Sequence, residues 1–112
     1  IIAMNLMSID NLLDRTWSRD YTCNEFACEA WKQITGKDLG KRIENSLKGK
    51  GRFKKLSEPI SPCLVFFKNS DRSSTHVGLF YCDKLLHLTP RGVQFIPLEM
   101  VVMHFKEVRF YK

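Results

Sequence analysis

The chain has 112 residues, of which 44% are hydrophobic and 27% charged, and it carries a formal net charge of +6. This balance excludes a disordered chain, and a domain of this length has no room for a second core. No apolar run approaches the roughly 18 residues that a helix needs to cross a bilayer. Residues 1–112 are therefore expected to form one domain. The opening Ile1-Ile2-Ala3-Met4-Asn5-Leu6-Met7 has no basic flank, so no signal peptide is visible there. It reads as the remnant of a tag or precursor and carries no structural weight.

Residues 8–15 predict a short helix, with Ser8 as its cap and Ile9, Leu12 and Leu13 as an apolar stripe. Residues 17–21 read as a connecting loop. Thr22-Cys23-Asn24-Glu25 fits the capping box, in which a hydroxyl and a carboxylate reciprocally satisfy the free amides of a helix start. Phe26, Ala27, Ala30, Trp31 and Ile34 follow at helical spacing, and Gly36 suits the stop. At about 100° per residue these five average within roughly 20° of the direction of Cys23, whereas Cys28 lies about 140° round from it. Leu39–Leu47 predicts a second helix, ended by a loop at 48–51. After Pro59 and Pro62 the apolar period changes to two. Strands are expected at Cys63–Lys68, 75–81, 85–89, 92–96 and 106–111, with a short helix or turn at 98–104. Helices first and strands after predict an α+β domain whose antiparallel sheet is covered on one face.

The four cysteines contain no C-x-x-C pair, so their spacing does not suggest zinc. Cys23 and Cys28 lie about 7.5 Å apart along one helix axis, beyond ordinary disulfide reach, and free thiols are expected. A cysteine at a helix start is a recurring nucleophile, because unpaired amides and the helix dipole stabilise its thiolate. The plainer alternative is a small buried apolar residue. A nucleophile needs a base, and the chain offers His76, His87 and His104. His76 shares a strand face with Gly78 and Phe80. If residues 81–84 form a four-residue turn, Gly78 faces His87 and His76 is its diagonal neighbour, about 7–8 Å away. A tight turn at Asp83-Lys84 would separate the two histidines. Taken alone, His87 reads as a core histidine among leucines, and His104 has no comparable setting.

Between residues 37 and 55 eight basic side chains (Lys37, Lys41, Arg42, Lys48, Lys50, Arg52, Lys54, Lys55) face only Asp38 and Glu44. Such a patch suits an anionic partner or simply a solvated loop. Phe53 is its only aromatic residue, which argues against a nucleic-acid surface.

Thr22-Cys23-Asn24-Glu25-Phe26-Ala27, Leu64-Val65-Phe66-Phe67, Thr75-His76-Val77-Gly78-Leu79-Phe80, Leu86-His87 and Gly92-Val93 together resemble the ordered landmarks of NlpC-type cysteine peptidases. These include cell-wall endopeptidases and tail-associated phage proteins. The family pattern runs Asp-Cys-Ser at a helix start, Gly-Asp-Leu-Val-Phe-Phe, His-Val-Gly-Ile-Tyr, then a polar residue that is often His. The resemblance spans residues 12–111. It implies a papain-like NlpC-type fold, with Cys23 as nucleophile, His76 as base and His87 orienting it. It implies no metal and no organic cofactor. The substrate it implies is a peptide bond of the peptidoglycan stem, cut outside the cell, in the periplasm or from a virion tail, with phage tail proteins as further partners.

Thr22 stands where the family has Asp, Asn24 where it has Ser, and Pro62-Cys63 where it has Gly-Asp. The family's longer loop before the nucleophile is cut down, and Trp17 and Tyr21 are the candidates to fill that space and contact substrate. Three rival readings use the same residues differently. One is an acyltransferase or amidase of the same fold, and another a tail-assembly component with a vestigial site. The third is a basic nucleic-acid binder.

Overall fold

Helix α1 (Cys23–Thr35) starts and stops where its sequence supplies caps. The Glu25 carboxylate accepts from the Thr22 amide at 2.8 Å and from its hydroxyl at 2.6 Å, and the Thr22 hydroxyl accepts from the Asn24 amide at 3.3 Å. Gly36 ends the helix in the left-handed region at φ 77°, which an L side chain rarely adopts. The computed structural model describes residues 8–47, 49, 53–70 and 75–112. The expectations for residues 1–7 and for most of the loop at 48–51 lie outside them. Ahead of α1 the expected helix at 8–15 is only a 3-10 turn, Asp10–Leu12. That one turn suffices to bury Ile9 and Leu12, and Leu13 stays exposed. Helix α2 (Leu39–Leu47) follows α1. No helix among the described residues is long and apolar enough to cross a membrane.

Among the described residues after α2, six strands form an antiparallel sheet of order β1-β6-β2-β3-β4-β5. Its strands are β1 (Lys55–Leu56), β2 (Cys63–Lys68), β3 (His76–Tyr81), β4 (Lys84–Thr89), β5 (Gly92–Pro97) and β6 (Glu107–Tyr111). Strand β1 was not expected. It is two residues long, too short to show a period, and is held against β6 by reciprocal 2.9 Å hydrogen bonds between Lys54 and Lys112. Between β3 and β4 the chain turns through Cys82 and Asp83, both at positive φ (52° and 65°), with Tyr81 paired to Lys84. Two left-handed residues match the twist of the flanking strands.

Alternation along the strands divides the apolar side chains into two cores. On one face Leu64, Val77, Leu79, Leu86 and Leu88 pack against Phe26, Ala27, Ala30 and Trp31 of α1. On the other, Cys63, Val65, Phe67, Phe80 and Leu85 pack with Val101 of a third helix, α3 (Leu98–Val102), and with Phe105. The expectation of a sheet covered on one face is thus corrected. β2, β3 and β4 are apolar on both sides, and a five-residue helix with the segment after it closes the second. Each fully buried Leu or Phe in these layers contributes about 1.5–3 kcal/mol.

Candidate active site

Cys23 is the first residue of α1, half-buried against the core on the α1 face of the sheet. Its position follows from the capping box, whose hydrogen bonds from Thr22 hold the Glu25 carboxyl below the usual range. Cys28 is also half-buried, and burial pushes its thiol up, with Glu25 and Asp38 adding to the rise. Cys63 is buried in the sheet and likewise pushed up by burial. All four cysteines are free thiols. Among the described residues no cluster of three or more His, Cys, Asp or Glu side chains could hold a metal ion.

The hairpin register is the one that brings the histidines together. Phe80 pairs with Leu85 and Leu79 with Leu86, which continues to Gly78 opposite His87. A Cβ added at Gly78 would stand 2.9 Å from the His87 Cβ, so glycine is what lets this pair approach. His76, the first residue of β3, pairs with Phe67 and stacks on its ring at 5.6 Å, while His87 meets the same ring edge-on at 5.4 Å. His76 is exposed and His87 buried. The His87 Nε2 lies 2.8 Å from Oε1 of Gln94, its partner on β5, an oxygen that can only accept. In the tautomer with its proton on Nε2, the ring donates to that oxygen. Burial lowers the His87 pKa, the Gln94 hydrogen bond opposes it, and the neighbouring His76 adds to the lowering.

The structure thus brings together His76 and His87, and it places Cys23 elsewhere. Phe67, on which both histidines pack, belongs to the α3 face, whereas Cys23 packs on the α1 face, and no hydrogen bond joins Cys23 to either ring. The Tyr21 hydroxyl is engaged within the domain. It donates to Glu29, whose carboxylate is bridged to Arg15 at 2.8 Å. Burial, helped by that carboxylate, pushes the Tyr21 phenol up to about 12. Trp17 is 42% exposed. His104 is exposed beyond α3. Gln94 and Phe67 are the residues that sequence reasoning missed. Their signal is the strand register, which sets Gln94 opposite His87 and Phe67 opposite His76.

Compared with known protein families, with curated proteins and with solved structures, the chain matches none.

Proposed function

We propose that this domain is an NlpC-type cysteine hydrolase of papain-like fold that cuts peptide bonds in the stem peptides of peptidoglycan, outside the cytoplasmic membrane. One observation carries the reading. Cys23 is the first residue of a capped helix, and His76 is the first residue of a strand, backed by a buried His87 across a glycine. The reaction requires the exposed His76 imidazole, at the first residue of β3, to swing round to the thiol on the α1 face, while His87 stays behind it on the α3 face. Cys23 gives its proton to His76 and attacks the amide carbonyl. The Cys23 backbone amide, free at the helix start, donates to the oxyanion. His76 then protonates the leaving amine and activates the water that releases the thioester.

The test is digestion of purified sacculi, with the fragments identified by mass. Cys23→Ala is expected to abolish cleavage with the fold intact, and His76→Ala to slow it by about 10²- to 10⁴-fold. Activity that survives Cys23→Ala and disappears in Cys28→Ala overturns the assignment of the nucleophile. A second reading is a phage tail component whose site is vestigial. It is favoured by the placement of Cys23 and the histidines on opposite faces of the sheet, with no hydrogen bond between them. Intact sacculi, with Cys23 alkylated by iodoacetamide no faster than an ordinary thiol, decide for that reading.

A further inference from the structure

A cavity of about 380 Å³ opens where β2 ends and β3 and β6 begin. Phe66 pairs with Arg109 and Lys68 with Glu107, and Phe66 and Tyr111 pack with the core on the α1 face. By alternation Lys68, Arg109 and Glu107 share that face, as does Thr75, two residues before Val77. The cavity therefore lies on the face of the sheet that carries Cys23. Thr75, part of its wall, is the residue immediately before His76.

The floor is aromatic and the rim is charged. Phe66 and Tyr111 meet edge-to-face at 5.4 Å. Phe53 closes one side, with the Arg42 guanidinium 4.5 Å above its ring. On the rim, Arg109 is bridged to Glu107, and among the described residues Lys68 has no ion pair. Two cations against one carboxylate leave a net positive rim over an apolar floor. The volume falls in the roughly 300–1,000 Å³ range of sites that take small organic ligands.

We infer that this cavity binds a carboxylate-bearing segment, its apolar part on Phe66 and Tyr111 and its carboxylate on Lys68 and Arg109. The name of substrate for that segment rests on the hydrolase reading; the binding does not. Charge-assisted hydrogen bonds from two cations suit a carboxylate over a neutral amide of the same shape. Glu107 competes for Arg109, so it weakens the site and sets a ceiling on its affinity.

The probe is hippurate, compared with its neutral primary amide, on the full chain carrying Cys23→Ala, followed by backbone amide shifts. Hippurate is expected to shift the amides of Lys68, Thr75 and Arg109 saturably, and the neutral amide to bind roughly tenfold more weakly or worse. Lys68→Met, with its own spectrum showing the fold intact, is expected to lose a similar factor. Glu107→Gln is expected to gain several-fold, because it releases Arg109. No saturable hippurate binding, equal affinity for the neutral amide, shifts confined to another surface, or weaker binding in Glu107→Gln would each overturn the inference. If hippurate binds here while wild-type protein leaves sacculi intact, the cavity stands and the hydrolase reading falls. If sacculi are digested while Lys68→Met and Arg109→Met change neither KM nor hippurate affinity, the cavity assignment falls alone.

Discussion

The start of α1 and the β3–β4 hairpin hold their chemistry-bearing residues by different means. Cys23 is placed by hydrogen bonds between Thr22 and Glu25, three residues apart in the chain. His76 and His87 are placed by register: by the left-handed pair Cys82 and Asp83, by the ladder from Tyr81 to Leu79, and by Phe67 on the neighbouring strand. The helix start is a local device, and damage to it stays local. A register is shared, since a slip of one residue turns every side chain of a strand to the opposite face. The lesson is that the position of Cys23 tolerates change in its surroundings, while that of the histidines depends on the whole hairpin.

The sharpest way to break this contrast is Phe67→Ala. Phe67 is fully buried, and its loss is expected to cost about 3–5 kcal/mol in urea denaturation and to move the ring resonances of both histidines together. A loss below about 1 kcal/mol, far from the usual cost of such a truncation, would show that Phe67 does not organise the pair. Gly78→Ala comes next, at about 1–3 kcal/mol, because its Cβ would also lie 3.0 Å from the Leu86 carbonyl oxygen, which is backbone.

Gly78→Ala has a second readout in the pH dependence of stability. Burial holds the His87 pKa below its ordinary 6.5, so between the folded value and 6.5 the unfolded chain binds more protons. The contribution of His87 to stability is therefore present above 6.5 and lost as pH falls through its folded value. Pushing His87 towards solvent in Gly78→Ala is expected to flatten that slope, seen in urea midpoints between about pH 5 and pH 7. The smallest effect is expected from Thr22→Ala, about 1 kcal/mol, with the Glu25 carboxyl returning towards its ordinary range and the histidine resonances unmoved. Histidine shifts in that variant would show that the two regions are coupled after all.

Much of this was legible in the residues themselves. Thr22, Glu25 and Gly36 mark both ends of α1, and the apolar runs of β2 and α2 match their observed bounds. Of the two turns the sequence left open, the chain takes the one at 81–84, which sets Gly78 against His87. What could not be read is which face of the sheet α1 would choose. Period two shows that His76, Gly78 and Phe80 share a face, but Val77, Leu79 and Tyr81 on the other are as apolar, so neither side announces itself as the helix side. The ordering of Tyr21 was hidden for a related reason. Its partners Glu29 and Arg15 form a salt bridge across 14 residues, and no local pattern signals such a contact.

Strand β6 lies inside the sheet, between β1 and β2, although it comes last of the six along the chain. During synthesis β2 and β3 therefore emerge with one hydrogen-bonding edge of β2 open, and it stays open until residue 111 has cleared the ribosome. Contacts between residues so distant in sequence are slow to form, because the intervening chain must first be gathered in. Nascent chains of this protein are thus expected to remain vulnerable to proteases and to mispairing with one another until translation has passed β6.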